Sequence, residues 1–452
     1  MIEKNNKKIT NAWCMYDWAN SVFPLTITSA IFPIYWNSQT EQGVNFLGQH
    51  LSNTTFYAFC ISFAFLVVAF INPILGGIAD TAGNKKSFMR MFVILGSVSC
   101  AMLFFFDKHN IWVGAIAFIF ATIGFAGSIV FYNAYLPEIS TKDKMDSLSA
   151  RGFSFGYVGA VLLLIMNLIL IMFPQLVFDV QSKIETLKLA NPQLTQPEIG
   201  KMAKSSFSGI SSRIAFVSVG VWWFLFSLIP FKYLPVNKNK KAVISIKKGY
   251  QEINKVFKLI KKNKSIKDYL TAIFFSSMGV QTIMYVAGSF GDKELKLPKH
   301  VLIVTILIIQ LVAVLGAYLT SKLSKKIGNI KTLMVLVCIW IFVCFYAYFV
   351  HGEHQFYFLA SVVGLIMGGI QSLSRSTYAK LIPSDSDENT SYFSFYELTE
   401  KVAIVIGTFA FGAIELVMYK ITNETSMRYS IVSLFLFFVI SIVLLIRQRK
   451  VI

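Results

Sequence analysis

The chain has 452 residues, of which 55% are hydrophobic and 14% are charged, and its mean hydropathy is +0.61. Soluble domains carry about 25% charged residues, so this composition excludes a soluble globular protein and indicates a membrane protein. The formal net charge of +19 is carried mainly by short loops between apolar runs, which is typical of membrane topology and argues against a nucleic-acid partner.

Apolar runs of the length that a transmembrane helix needs, about 20 residues, recur along the whole chain. We predict about twelve spans, at 12–36, 54–79, 88–106, 111–135, 152–173, 214–236, 268–290, 300–320, 331–350, 356–380, 396–420 and 428–447. The first run is too long for the core of a signal peptide, so no cleavable leader is expected. The predicted fold class is an all-α polytopic membrane protein.

The loops between these spans differ in charge. Basic residues gather on one side of the predicted topology, at Lys4, Lys7, Lys8, Lys85, Lys86, Arg90, Lys142, Lys144, Arg151, Lys322, Lys325, Lys326, Arg447, Arg449 and Lys450. Because basic loops stay on the inner side, we expect this side and both termini in the cytoplasm, with the protein in the inner membrane beside an anionic leaflet.

The first span begins with the stretch MYDWANSVFP. Trp13 and Trp18 fit an aromatic belt at the inner headgroups. Asp17 falls near the inner end of the span and is expected to be a partner in a gate, and Asn20 lies about one turn deeper, where it is a candidate for the cavity lining.

The loop GGIADTAGNKK, residues 76–86, follows the second span. Gly76 allows close helix approach, Asp80 can accept hydrogen bonds from the amino terminus of another helix, and Gly83 allows the turn before Lys85 and Lys86. The loop resembles the signature of the major facilitator superfamily, in which the aspartate latches the two halves of the protein. The resemblance assigns that role to Asp80, although Thr81 stands where a basic residue usually follows. A turn that only sets topology is the alternative.

The two halves of the chain resemble each other at an offset of 245 residues. Gly83 and Asn84 align with Gly328 and Asn329 at this offset, and FSFGY at 153 and FSFYE at 393, 240 residues apart, open the next spans. Such a repeat predicts two pseudo-symmetric six-helix bundles, the major facilitator fold, with a substrate site between them. In the second copy Lys325 replaces the acid, so that latch is expected to be lost.

The repeat sets the expected domains: a bundle at 1–236, a linker at 237–267 and a bundle at 268–452. The linker is rich in lysine and is either an amphipathic helix on the anionic inner leaflet or a solvated chain. Residues 175–213 form a long external insertion, for which we expect one or two short helices over the outer mouth.

Charged residues inside spans are rare and usually functional. Arg375 in the tenth span is the main candidate for binding a carboxylate or phosphate, and the alternatives are a gate ion pair with Asp17 or Glu397, or snorkelling. Neutral candidates for the cavity lining are Asn20, Asn133, Gln281, Gln371 and Ser374. For the amides among them, a hydrogen bond between helices is an equal alternative.

Proton coupling would need a titratable group. All five histidines fall in predicted outer loops, so Asp17, Glu397 or Glu400 would carry the proton. The gate and coupling candidates are therefore Asp17, Gly76, Asp80, Gly83, Lys85, Lys86, Arg151, Glu397 and Glu400. The five cysteines lie in or beside apolar runs, so neither a disulfide frame nor a metal site is expected, and no cofactor is implied.

Several stretches resemble one family within the superfamily, the Unknown Major Facilitator family, which is related to the autophagy-linked vacuolar amino-acid effluxers. These are WCMYDWANSVF, RIAFVSVGVWWFLFSLIP, GVQTIMYVAGSFGDKEL, GGIQSLSRSTYAKLIP and FSFYELTEKVA. The resemblance marks Tyr16, Asp17, Trp18, Asn20, Gly279, Gln281, Ser374 and Arg375 as family-pattern positions. One departure is Ser277 with Met278, where members commonly carry asparagine and aspartate.

We therefore predict a monomeric secondary active or facilitative transporter that moves a small solute by alternating access. The arginine and the family relatives favour efflux of amino acids or other small carboxylates. A sugar or lysolipid carrier and a receptor that does not transport are the alternatives. An enzyme is not expected, because the acids and histidines form no catalytic constellation.

Overall fold

The computed structural model describes residues 3–46, 48–191, 193–236, 245–384, 386–422 and 427–449. In the first part of the chain the helices are α1 Lys7–Asn20, a π-helix Phe23–Ala30, α2 Phe32–Gln39, α3 Asn53–Ala82, α4 Lys85–Met102, α5 Ile111–Asn133, α6 Leu136–Ile139, α7 Met145–Met172, α8 Val180–Ala190 and α9 Gln196–Tyr233. Then follow α10 Ile246–Lys262, α11 Lys264–Ser289, a second π-helix Phe290–Glu294, α12 Lys299–Ile327, α13 Asn329–Tyr348, α14 Glu353–Leu381, α15 Asn389–Thr422, α16 Met427–Ser433 and α17 Phe435–Arg449. Strands β1 Val44–Phe46 and β2 Gln49–Leu51 form one antiparallel hairpin.

Within the described residues, 11 helices are long and apolar enough to cross a membrane. The run predicted as the first span, 12–36, is not among them because it is divided into α1, the π-helix and α2. Pro24 and Pro33 lie in the first turns of the second and third segments, where a missing N–H is tolerated. The first of the predicted spans therefore consists of three consecutive helical segments rather than one long helix.

The external insertion contains one separate short helix, α8. The second expected helix is instead the beginning of α9, which continues for 38 residues into the sixth span. The side chains of Thr195 and Glu198 cap its first turn reciprocally, which explains why the helix begins so far outside the apolar run.

The core is formed by helices that pack within each half and by contacts between the halves. In the first half α1, α4, α5, α7 and α9 pack on one another, and in the second half α11, α12, α14, α15 and α17 do so. The halves meet where α7 packs on α12 and α14, and where α3 packs on α15. Large apolar side chains such as Phe70 and Phe409 are exposed, as on a bundle surrounded by lipid.

Trp13 of the first span is a packing residue, which corrects the headgroup-belt prediction for this residue. Trp13 is fully buried, stacks on Tyr132 at 4.5 Å between ring centroids, and donates its indole N–H to the Tyr132 carbonyl at 3.1 Å. Trp18 stacks on Trp222 at 5.6 Å. The burial of Trp13 makes it a core residue rather than an interfacial anchor.

The lysine-rich linker includes residues 237–244, which lie outside the described residues. From Ile246 onward it forms α10, which packs chiefly on α3 and also touches α11 and α15. Val256 and Ile260 are buried in these contacts. Residues 246–262 are therefore not a solvated chain.

Candidate functional site

We use "basic end" for the end of the bundle where α3 ends and where α4, α7 and α15 begin. Most of the predicted site residues lie toward this end. Asp17, Asn133, Arg375 and Glu397 come together there between the halves, and each is at most 6% exposed. With Lys401 they form what we call the charge network.

The charge network alternates between the halves. Lys401 pairs with Glu397 at 3.1 Å, and Glu397 accepts a hydrogen bond from the Asn133 amide at 2.9 Å. Arg375 donates to the Asn133 side-chain oxygen at 3.3 Å and pairs with Asp17 at 3.2 Å. The order of helices is α15, α5, α14 and α1, so three of these contacts join one half to the other.

The guanidinium of Arg375 is also held from other directions. It donates to the Ser149 hydroxyl at 2.9 Å and to the Ser149 carbonyl at 3.0 Å, and its central carbon stands 4.1 Å from the centroid of Phe153. Tyr132 donates its hydroxyl to Asp17 at 2.6 Å. In this structure Arg375 therefore forms an ion pair with Asp17, which was one of the two ion pairs considered from the sequence.

Asp80 lies at the basic end of α3 and reaches the amino terminus of α15. Its carboxylate accepts from the backbone N–H of Thr390 at 3.1 Å, from the N–H of Ser391 at 2.7 Å and from the Ser391 hydroxyl at 2.7 Å. These amides have no partner within their own helix, and the positive end of the helix dipole favours a carboxylate there. This is the contact predicted from the loop; its role in gating stays a prediction.

Two glycines of the loop have the predicted geometry. Gly83 ends α3 with φ of +67°, in the left-handed region that favours glycine. A Cβ on Gly76 would lie 2.4 Å from the Ser394 hydroxyl, so α3 and α15 approach each other as closely as they do because that position has no side chain.

A second latch was not predicted. Asp146, in the first turn of α7, pairs with Lys380 at 2.6 Å and accepts from Asn329 at 2.9 Å and from Ser376 at 2.8 Å. The second copy of the loop carries Lys325 in place of the acid, as expected, and the carboxylate of this contact comes instead from Asp146 on the facing helix. The first half therefore supplies the carboxylate in both latches.

The remaining basic candidates differ in what they join. Lys85 pairs with Glu138, which also accepts from the Asn389 amide of the second half at 3.0 Å. Lys86 donates to the Leu234 carbonyl at 2.7 Å, and Arg151 donates to the Cys14 sulfur at 3.3 Å. The last two contacts lie inside the first half and do not support a direct gate role for Lys86 or Arg151.

The neutral candidates lie in several places. Gln371 accepts from the Tyr157 hydroxyl at 2.7 Å, across the halves, and the Ser374 carbonyl accepts from Tyr269 at 2.9 Å. Asn20 is buried and accepts from Ser21 at 3.4 Å, whereas Gln281 is half-buried on α11. Only Asn133 of this set belongs to the charge network.

A cleft of about 680 Å³ opens at the basic end. Its walls include Asp80, Gly83, Lys85, Lys86 and Glu138. It therefore lies beside the Asp80 contact at the basic end rather than at mid-depth of the bundle. Among the described residues, no cluster of three or more histidine, cysteine or acidic side chains could hold a metal ion.

One further ion pair lies at the basic end, outside the spans. Lys255 of α10 pairs with Glu388 at 2.5 Å and with Glu252 at 3.1 Å. The hydrogen bond to Glu388, followed by the one to Glu252, raises the pKa of Lys255 above its usual value, so this lysine stays charged throughout the neutral range.

Comparison with known proteins matches the chain almost from end to end. The sequence profile of the family described as "Vacuole effluxer Atg22 like" matches residues 5–189 and 195–449. The chain is 30% identical to the uncharacterized MFS-type transporter YxiO of Bacillus subtilis, over 98% of this chain and 95% of that protein. It is 24% identical to autophagy-related protein 22 of Saccharomyces cerevisiae strain S288c, over 86% and 77% of the two chains.

Solved structures of the same architecture exist. The proton:xylose symporter XylE, of the major facilitator superfamily, superposes with a TM-score of 0.70 at 12% identity, covering 98% of this chain and 95% of that one. The major facilitator transporter FucP in its outward conformation gives a TM-score of 0.65 at 13% identity, covering 97% and 98%. At these identities the similarity shows the fold.

Proposed function

This chain belongs to the Atg22-like vacuole effluxer family and is a multi-pass membrane transporter of the major facilitator fold, and we propose that it moves a small solute by alternating access. The observation that carries the proposal is the charge network, which crosses between the halves at three contacts close to the basic end. With both latches made, this is a state closed at the basic end. Transport then requires these contacts to break and re-form.

We propose that the protein lies in the inner membrane with its basic end on the cytoplasmic side, because the lysines and arginines of the short loops lie at that end. A monomer is sufficient, since the moving parts are the two bundles, 1–236 and 268–452, joined by the linker 237–267. Asp80 and Asp146 then close the cytoplasmic side.

For the solute we propose an amino acid or another small carboxylate. Arg375 is buried and bound to Asp17 in the closed state. When the halves separate at the basic end, the guanidinium loses that partner, and a solute carboxylate can take its place on the guanidinium, which is suited to bidentate binding of carboxylates. The description of the matching family as vacuole effluxers favours efflux. The aromatic rings of Trp13, Tyr132 and Phe153 around Arg375 favour a sugar carrier as the second candidate.

Reconstituted vesicles test transport directly. We expect the wild type to move at least one labelled compound among amino acids, sugars and lysolipids faster than protein-free vesicles. We expect Asp80→Asn to be slower on the same compound, because asparagine loses charge-assisted bonds worth about 1.5–3 kcal/mol each and the basic end closes less often.

Asp143→Asn is the control, since Asp143 is exposed at the same end. It should transport at the wild-type rate. If the wild type transports none of the compounds faster than Asp80→Asn does, the proposal is contradicted.

We propose that any coupled proton is carried by Glu400. Of the three candidate carboxylates, Asp17 and Glu397 are paired with Arg375 and Lys401. Glu400 is a third carboxylate beside only two cations, and it is bonded to Tyr396. Binding a proton there leaves the buried group of charges neutral, which favours the closed state, so the proton is expected to be released when this region opens to water.

Glu400→Gln should remove the response of transport to an imposed proton gradient while transport at equal pH continues, because glutamine fixes the neutral form. Glu415→Gln, near the other end of α15, should respond as the wild type does. Uptake by Glu400→Gln that still follows the gradient would assign the proton to another group.

A further inference from the structure

The helix α10 lies over the Asp80 latch and contacts both of its sides. On α3 it meets Gly77, where a Cβ would lie 2.3 Å from the Gly249 carbonyl of α10. On the other side Lys255 pairs with Glu388, two residues before Thr390, whose amide binds Asp80. Separation of α3 from α15 therefore has to break a contact of α10.

The contacts with α15 also show which side of α10 faces the apolar region of the bundle. Glu388 immediately precedes α15, whereas Phe395, which stacks on Phe257 at 5.8 Å, lies about 10 Å further along that helix. Because α15 runs from the basic end into the bundle, the Phe257 side of α10 faces the apolar region. The Lys255 side faces away from it.

Helical spacing assigns the other exposed residues of α10 to these sides. Ile246 and Tyr250 fall within about 40° of Phe257 around the axis, and the three are exposed by 71%, 63% and 43%. We call them the apolar ridge. Lys247 and Lys261 lie next to the ridge, whereas Lys248 and Lys262 lie on the opposite side with Lys255.

An apolar ridge flanked by lysines, on a helix at the end of a membrane bundle, is suited to the boundary between headgroups and acyl chains. The helix carries six lysines and one acid, so its charge complements an anionic surface. The lysines beside the ridge have the position of headgroup contacts, and those on the opposite side lie toward water.

We propose that α10 is a lipid-binding helix: the apolar ridge enters the bilayer interface, Lys247 and Lys261 bind the phosphates of anionic phospholipids, and this holds α10 across the Asp80 latch. Anionic lipid thereby stabilises the state closed at the basic end. The proposal rests on the proposed function only in treating the basic end as a gate, and lipid binding itself is separate from transport.

The test is amide hydrogen exchange of the full chain in nanodiscs of phosphatidylcholine alone or mixed with phosphatidylglycerol. In the wild type, exchange across 246–262 should slow in the mixed discs. The double variant Lys247→Gln/Lys261→Gln should lose this slowing. Its exchange rate in the mixed discs should be about tenfold or more above that of the wild type, because two lysines near a charged surface are removed. Lys248→Gln/Lys262→Gln removes the same charge from neighbouring positions on the other side and should keep it.

Inorganic phosphate added to phosphatidylcholine discs should not reproduce the slowing, because a free anion does not hold the ridge in the interface. Equal slowing in both double variants, slowing by phosphate alone, or exchange that ignores lipid in the wild type would overturn the proposal. Since the measurement needs no solute, its failure would leave the transport proposal standing, and failed transport would leave this result standing.

Discussion

Arg375→Gln is expected to lower the free energy of unfolding by about 3–5 kcal/mol, because it leaves the Asp17 carboxylate buried without its cation. Both side chains of the pair are less than 10% exposed, at 4% and 9%, so water cannot replace the lost partner. The tyrosine hydroxyl that remains on Asp17 supplies a hydrogen bond but no charge. Equilibrium unfolding in mixed micelles measures the loss.

The double variant Asp17→Asn/Arg375→Gln removes both charges and should be more stable than Arg375→Gln alone. Arg151→Gln is the matched control, since its contact with Cys14 stays inside the first half, and it should lose about 1 kcal/mol or less. If the losses of stability of Asp17→Asn and Arg375→Gln simply add in the double variant, Arg375 and Asp17 are not energetically coupled, which would contradict the account of the charge network.

Which residues belong to the charge network could largely be predicted from the sequence. A charge inside an apolar run is expensive, so Arg375, Glu397 and Asp17 were identifiable without a structure. Their pairing could not be predicted, because Arg375 and Asp17 are 358 positions apart in the sequence. From the sequence alone, Glu397 was an equally good partner for Arg375. The position of Asn133 between Arg375 and Glu397 depends on how three helices meet.

Asp146 shows where the sequence signal ends. It lies at the start of α7 beside Lys142 and Lys144, where an acid looks like a solvated loop residue. Its partners Lys380 and Asn329 belong to two other helices of the opposite half. A repeat aligned residue by residue predicts a lost latch, whereas the contact survives because an acid on one helix can replace an acid on the helix it faces.

The first span was predicted as one helix for a related reason. Apolar run length and composition do not reveal that Pro24 and Pro33 divide it into three helical segments. The tryptophans were assigned to a headgroup belt because a ring near a span end is usually interfacial. Packing on Tyr132 instead keeps Trp13 in the core.

A disulfide between Gly76→Cys and Ser394→Cys should stop transport. A Cβ on Gly76 would lie 3.6 Å from the Ser394 Cβ, within the range of about 3.5–4.5 Å that disulfides need. The bond would join α3 to α15 across the halves beside the Asp80 latch. Because the proposed cycle requires these helices to separate, the cross-linked protein should be fixed in the closed state.

The control is Gly156→Cys/Ser21→Cys, whose Cβ separation of 3.2 Å is close to that range and lies inside the first half. Its oxidation should leave the rate unchanged, because a bundle that moves as one body is not affected by an internal bond. Free-thiol counting before and after oxidation shows that each bond has formed. The exposed Cys338 is first replaced by serine so that it does not react.

The rate of solute movement through vesicles of Gly76→Cys/Ser394→Cys, oxidised and then reduced, tests alternating access most directly. We expect solute to move no faster than through protein-free vesicles while the disulfide is formed, and we expect transport to recover when the disulfide is reduced. Unchanged transport by the fully oxidised protein would contradict the claim that the halves must separate at the basic end.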